Sequence, residues 1–155
     1  MKIADEIRLS LADDWLPSIY ERDIRSQRTR SCVIDVPKRE NAAEIQYTLL
    51  GIELKVGRKR FSCPDLSTGR YFRIFARIGV GQFAIPYDIT RISAAADSLE
   101  TSWQRSLLLL EKYAEVGSTR ARSSLVKAIR DAIAFIGSGD AMPTFDRETR
   151  QRPNT

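Results

Sequence analysis

The sequence contains no histidine and only two cysteines, and these scarcities exclude several classes of site. Without histidine the chain cannot build Ser-His or Cys-His nucleophilic machinery or the usual zinc ligand set. Two cysteines cannot form a disulfide framework or supply four ligands to a structural zinc ion. We therefore expect Cys32 and Cys63, which both lie in strand-like runs, to be reduced and half-buried thiols. Any catalysis would use carboxylates, lysine, arginine, tyrosine or a cation bound by oxygen atoms.

Long apolar runs are missing as well. The longest candidates, residues 107–110 and 132–136, fall far short of the roughly 20 residues that a membrane-spanning helix needs. Acidic residues interrupt the apolar positions of the N-terminal segment, so it differs from a signal peptide. We therefore predict a cytoplasmic protein with no membrane partner.

The composition that remains is typical of one globular domain. Hydrophobic residues make up 43% of the 155-residue chain and charged residues 29%. A chain of this length buries roughly two-thirds of its unfolded surface. We predict a single mixed domain over residues 3–137, followed by a mobile basic tail over 138–155. The net charge of +5 is compatible with a polyanionic partner such as DNA or RNA.

The spacing of apolar residues predicts an α+β fold. Four-residue steps from Ile3 through Ile7 and Leu11 to Trp15 indicate an N-terminal helix that reaches about residue 19. Strand-like runs and turn signals predict a small sheet within residues 31–86. Two helical patterns then follow, one from Ile92 to Tyr113 and one that ends before Gly137, and they predict a C-terminal helical hairpin.

Residues 67–78 fit two periods. As a helix the segment would be capped by Ser67 or Thr68 and would end at Gly79. As a strand it would alternate apolar and basic side chains before a hairpin turn. We favour the helix because Arg70, Arg73 and Arg77 would then form one exposed stripe.

The most specific local motif is Glu53-Leu54-Lys55 within an apolar strand. Side chains two positions apart on a strand share a face, so the carboxylate and the amine would lie together. A metal-dependent phosphodiesterase needs a carboxylate for Mg²⁺ and a lysine to orient water or stabilise negative charge. Asp35, at the end of the preceding strand-like run, is the candidate second carboxylate. The alternative is that Glu53 and Lys55 form only the solvent face of a half-buried strand.

At these residues the sequence resembles the PD-(D/E)xK nuclease superfamily over roughly residues 3–88. The shared feature is the order helix, strand, turn, strand with Glu53-x-Lys55, helix and strand. The resemblance implies that Asp35 and Glu53 bind Mg²⁺ and that Lys55 is catalytic. In contrast to that superfamily's motif, proline follows Asp35 at position 37 and does not precede it.

Basic side chains form a second candidate site. If they converge on one side they could follow a phosphate backbone, with Tyr20 or Tyr71 stacking on bases. The alternative is an ordinary solvated surface, because acidic residues are interspersed. The candidate nucleic-acid-binding residues are Arg28, Arg30, Arg58, Lys59, Arg60, Arg70, Arg73 and Arg77.

The C-terminal helices supply a third candidate. Leu107 to Leu110 covers more of a helix circumference than one packing face needs, so this helix is central in the domain or half of an interface. Three functions follow from the sequence: a Mg²⁺-dependent nuclease-like enzyme, a non-catalytic nucleic-acid-binding module, and a non-enzymatic assembly protein that forms a homo-oligomer through these helices.

Overall fold

The computed structural model describes residues 2–114 and 118–139. The predicted α+β class is confirmed. The helices are α1 (Ile3–Leu11), α2 (Leu16–Ile19), α3 (Leu66–Ile78), α4 (Ile92–Tyr113) and α5 (Thr119–Ile136). The strands are β1 (Thr29–Val33), β2 (Ala43–Thr48), β3 (Gly51–Val56), β4 (Lys59–Cys63) and β5 (Gln82–Pro86). Within the described ranges, no helix combines the length and apolar character that crossing a bilayer requires.

The N-terminal helix is interrupted, whereas the sequence predicts one helix to about residue 19. Ala12 has a positive φ of 51°, which is incompatible with the right-handed helix and ends α1. Pro17 lies in the first turn of α2, where its missing N–H costs no helical hydrogen bond. A π-helical turn over Tyr20–Ile24 then leads towards β1.

The strands form two antiparallel sheets, whereas the sequence predicts one. β1 pairs with β5 alone, and β2, β3 and β4 form a separate three-stranded meander. After β1, the Ile34 N–H donates to the Gly81 carbonyl at 2.8 Å. The chain then runs to the end of α3, where the Asn41 N–H donates to the Arg77 carbonyl at 3.0 Å. This detour separates β1 from β2.

The segment with two possible periods is a helix, as favoured, but its cap differs from the prediction. Asp65 accepts a hydrogen bond from the Thr68 N–H at 2.8 Å, because its extended backbone places the carboxylate over the first turn. Gly79 ends α3 with φ 87°. A Cβ atom at Gly79 would clash with the backbone of Arg39, so only glycine fits this position.

The centre of the core is aromatic. The rings of Phe75 in α3 and Phe83 in β5 stack in parallel, with centroids 4.1 Å apart. Tyr71 donates its hydroxyl to the Ala84 carbonyl at 2.6 Å, and the Tyr20 hydroxyl accepts from the Ala84 N–H at 2.8 Å. The β1–β5 ribbon is therefore fixed to α3 and to the N-terminal region by both packing and polar contacts.

The two predicted C-terminal helices are present, but each packs mainly on α1, α2 and α3 instead of along its neighbour. Within the leucine run, Leu110 is buried and Leu108 is 64% exposed, so α4 has one core face. Directly after α5, Tyr20 donates its hydroxyl to the Gly137 carbonyl at 2.9 Å, and Ser138 is buried. Ser138, the first residue of the predicted tail, is therefore packed against the domain.

The remaining part of that predicted tail, residues 140–155, lies outside the described residues. Its description as basic is wrong on the sequence itself. Three acids, Asp140, Asp146 and Glu148, balance its three arginines, which are Arg147, Arg150 and Arg152.

Candidate functional site

The structure places Glu53 and Lys55 on the same face of the three-stranded sheet. Leu54 and Val56, which alternate with them, are buried against α3. Cross-strand partners share a face, so the outer surface is polar throughout. It consists of Glu44, Gln46, Thr48, Glu53, Lys55, Arg60 and Ser62. The carboxylate of Glu53 lies 3.5 Å from the guanidinium of Arg60.

Asp35 does not join this face. It lies in the loop after β1, its side chain is 85% exposed, and its carboxylate pairs with the ammonium of Lys59. Lys59 and Arg60 are consecutive in β4, so their side chains project to opposite faces of the sheet. Asp35 and Glu53 therefore contact side chains on opposite faces of the three-stranded sheet. Across residues 2–114 and 118–139 no group of three acidic or cysteine side chains could hold a metal ion.

The predicted arginine stripe on α3 faces α4 rather than open solvent. Arg70 pairs with Asp97, and Arg77 lies 3.3 Å from both carboxylate oxygens of Glu100. Burial, with Arg77 close by, lowers the pKa of the Arg73 guanidinium between them. The regular spacing of the three arginines reflects a seam between two helices.

Of the other basic candidates, two form ion pairs within the described residues and three do not. Lys59 and Arg60 are held by the carboxylates described above. Arg28, Arg30 and Arg58 are exposed and pair with no carboxylate among the described residues. The guanidinium of Arg28 lies 5.2 Å from the centre of the Tyr87 ring, a cation–π contact.

The tyrosines expected to stack on bases are unavailable for that role. Tyr20 and Tyr71 are fully buried, and burial raises the pKa of both phenols. Burial likewise raises the pKa of the Cys32 and Cys63 thiols, which are both free. A thiol with a raised pKa is a poor nucleophile near neutral pH.

A polar hollow of about 270 Å³ lies between the N-terminal region and α4. Its charged groups neutralise one another within the chain. Arg22 donates to Asp23 at 2.9 Å, and Arg105 lies 3.3 Å from Asp14. The hollow has no unmatched charge that would select a ligand.

A groove of about 500 Å³, lined by both apolar and charged side chains, lies between α1–α2 and α5, and we call it the α1–α5 groove. Phe135 stands at its margin with 94% of its surface exposed. Two short side chains of α5, Ala128 and Ala132, are among its lining residues. The lining residues are Ala4, Asp5, Arg8, Trp15, Pro17, Ser18, Glu21, Ala128, Asp131, Ala132, Phe135 and Ile136.

The sequence contained a signal for this groove that the predictions did not use. The core stripe of α5 runs through Leu125, Ile129 and Ile133, and Phe135 falls outside it on a helical projection. An exposed aromatic residue that forms one patch with other apolar side chains is a candidate contact residue. The groove itself could not be predicted, because it joins residues about 130 positions apart in sequence, such as Ala4 and Ala132.

Comparison with known proteins adds no assignment. The chain matches no protein-family model, and the searches of curated proteins and of solved structures give no match. Inference about function therefore depends on the geometry described above.

Proposed function

We propose that this protein is a non-enzymatic assembly module that forms a homodimer through the α1–α5 groove. The observation that carries the proposal is Phe135, which is 94% exposed directly beside the α1–α5 groove. Leaving a phenylalanine in water forgoes about 1.5–3 kcal/mol relative to its burial. A partner that covers the ring recovers that free energy.

A second copy of the chain fits this surface because the groove and the exposed ring belong to one patch. A two-fold interface places the same patch of each copy against the other. Phe135 of each copy would then enter the groove of the other, between Ala128 and Ala132, where short side chains permit close approach. A volume of about 500 Å³ is sufficient for an aromatic side chain.

The charges of the patch also favour self-association. Asp5, Arg8 and Glu21 line the groove, and none of them forms an ion pair with another residue in the described part of the chain. A patch that pairs with itself needs both signs of charge. Arg8 of one copy can then meet an acid of the other.

The two other functions predicted from the sequence receive less support. The nuclease hypothesis requires Asp35 and Glu53 to reach one cation, and these residues pair with Lys59 and Arg60 on opposite sides of β4. The nucleic-acid-binding hypothesis requires free basic groups, and Arg70 and Arg77, among others, pair with carboxylates. Neither supplies a site comparable to the groove.

Sedimentation over a range of protein concentrations tests the proposal. We expect the wild type to dimerise and Phe135→Ser to weaken the dimer about 100-fold or more, because each dimer loses two buried rings. The matched control is Leu108→Ser, which removes a 64% exposed leucine from α4 and should leave the dimer intact. A monomeric wild type, or equal association of both variants, would contradict the proposal.

A charge exchange sharpens the same test. Arg8→Glu and Glu21→Arg should each weaken the homodimer, because like charges then face each other twice. Mixing the two variants should restore association as a heterodimer, in which every facing pair is again of opposite sign. Failure of the mixture to associate would exclude the Arg8–Glu21 contact while leaving the contribution of Phe135 to be judged separately.

A further inference from the structure

Two of the candidate basic residues lie together at one end of the β1–β5 ribbon. Strand pairing continues one residue before β1, because the Tyr87 N–H donates to the Arg28 carbonyl at 2.9 Å. Arg30 follows Arg28 by two positions, so both side chains project from one face of the ribbon, with Cα atoms about 6.6 Å apart. Both arginines are exposed. We call Arg28, Arg30 and Tyr87 the ribbon-end site.

An aromatic ring belongs to this cluster. Tyr87 lies opposite Arg28 across the ribbon, where cross-strand partners share a face. The guanidinium of Arg28 lies 5.2 Å from the centre of the Tyr87 ring. That ring is 44% exposed, in contrast to the buried rings of Tyr20 and Tyr71. A half-exposed tyrosine beside a guanidinium offers the flat surfaces on which the bases of nucleic acids stack.

The positive charge of the ribbon-end site is not neutralised by the acid that follows its tyrosine. Asp88 accepts hydrogen bonds from the N–H and the hydroxyl of Thr90, at 3.0 and 2.6 Å, and lies 3.6 Å from the guanidinium of Arg91. The charge of this carboxylate is therefore matched just before α4. Since Arg28 and Arg30 have no carboxylate partner in the described part of the chain, both charges remain for an anionic ligand.

A hollow of about 360 Å³ opens next to the ribbon-end site. Its lining includes Gln27, directly before Arg28, and Arg91. Asp23 also lines the hollow, but its carboxylate accepts from Arg22 at 2.9 Å, so its charge is matched. Sites for small ligands are concave and have volumes of about 300–1,000 Å³. The surface beside the ribbon-end site is therefore concave enough to receive part of a ligand.

We propose that the ribbon-end site binds single-stranded nucleic acid, with Arg28 and Arg30 on neighbouring phosphates and a base stacked on Tyr87. Guanidinium groups match phosphate oxygens through paired N–H donors. A single strand exposes the faces of its bases, whereas a duplex keeps them stacked inside, so the ring favours a single strand. The inference does not depend on the proposed dimer, because none of these three residues lines the α1–α5 groove.

Fluorescence anisotropy at low salt tests the stacking contact. The probe is labelled oligothymidylate of about ten nucleotides, within the site sizes of single-strand binders. We expect the wild type to bind and Tyr87→Ala to weaken binding at least about fivefold, because a base loses its stacking partner. Tyr87→Phe keeps the ring and should bind like the wild type. So should the matched control Tyr113→Ala, which removes another exposed tyrosine with a cation–π contact, in that case to Lys112.

The salt dependence of the affinity tests the two arginines. Arg28→Gln/Arg30→Gln should reduce the slope of log affinity against log salt by about 1.4, because each phosphate contact on a single strand contributes about 0.7. The matched control is Lys38→Gln/Arg58→Gln, which removes two other exposed positive charges and should leave the slope unchanged. Equal slopes in the two double variants would contradict the phosphate contacts.

Three further outcomes would overturn the inference: no binding of the wild type at low salt, equal affinities of Tyr87→Ala and Tyr113→Ala, or equal binding of an abasic strand of the same length. We expect the abasic strand to bind more weakly than oligothymidylate. Equal binding would mean that phosphates are contacted without stacking, as an anionic lipid surface could be.

Discussion

The two sheets of this protein differ in how much of their surface is buried in the core. The β1–β5 ribbon lies within the core, where residues 83–86 are buried. The Ala84 carbonyl accepts from the Tyr71 hydroxyl, and the Ala84 N–H donates to the Tyr20 hydroxyl. The three-stranded sheet buries one face against α3 and leaves the other polar. The comparison indicates that stability is concentrated at the ribbon, while the meander is free to present surfaces to other molecules.

The largest expected difference concerns one aromatic residue in each sheet. Phe83→Ala removes a fully buried ring that stacks on Phe75, and we expect a loss of about 3–5 kcal/mol in the free energy of unfolding. Phe61→Ala in β4 removes a partly buried ring and should cost less than about 2 kcal/mol. Urea unfolding followed by circular dichroism measures both. Equal losses would show that the two sheets contribute alike.

An intermediate effect is expected from a single hydroxyl. Tyr71→Phe leaves the buried Ala84 carbonyl without its 2.6 Å donor, and we expect a loss of about 1–3 kcal/mol. Tyr47→Phe, on the exposed strand β2, is the matched control and should change stability by less than about 0.5 kcal/mol. If Tyr71→Phe leaves the free energy of unfolding unchanged, this hydrogen bond contributes little to stability.

The same hydroxyl predicts a pH dependence. Burial raises the pKa of Tyr71 well above its ordinary value of 10.0, so the folded state keeps a proton that the unfolded state releases. The contribution of Tyr71 to the free energy of unfolding is then fully present below about pH 10. It is lost as the pH rises from there towards the pKa of the folded state. Urea midpoints measured between neutral and alkaline pH should fall less steeply in Tyr71→Phe. Parallel slopes in the two proteins would contradict this reasoning.

The smallest effect is expected on the outer face of the meander. Glu53→Gln and Lys55→Ala should each change the free energy of unfolding by less than about 0.5 kcal/mol, because the Glu53–Arg60 pair is long and partly exposed. We also expect no Mg²⁺-dependent cleavage of DNA or RNA by the wild type. Cleavage lost in Lys55→Ala, or stabilisation by Mg²⁺ lost in Glu53→Gln, would restore the nuclease hypothesis.

Features set by neighbouring residues could be predicted from the sequence. The burial of Leu54 and Val56 beside the exposed face of β3 follows from strand alternation. The end of α3 at Gly79 follows from its left-handed conformation. Both depend on a few consecutive residues, so a local pattern was sufficient.

Features that depend on distant partners could not be predicted. The arginines of α3 have the spacing of an exposed stripe, yet the acids that neutralise Arg70 and Arg77 lie on α4, 27 and 23 residues away. Asp35 is likewise held by Lys59 across 24 residues. Charge spacing alone does not distinguish a solvent-facing row from one that meets matching carboxylates. The ion pairs of Asp35, Arg70 and Arg77 could not be predicted for this reason.

The hydroxyls of Tyr20 and Tyr71 have one more consequence. They form hydrogen bonds with the N–H and C=O of Ala84 on the edge of β5 that faces away from β1. The middle of this edge therefore offers no free backbone groups to an incoming strand. Strand exchange between crowded copies would therefore be blocked at the ribbon. Among the five strands described, β5 is thereby kept from joining a cross-β aggregate.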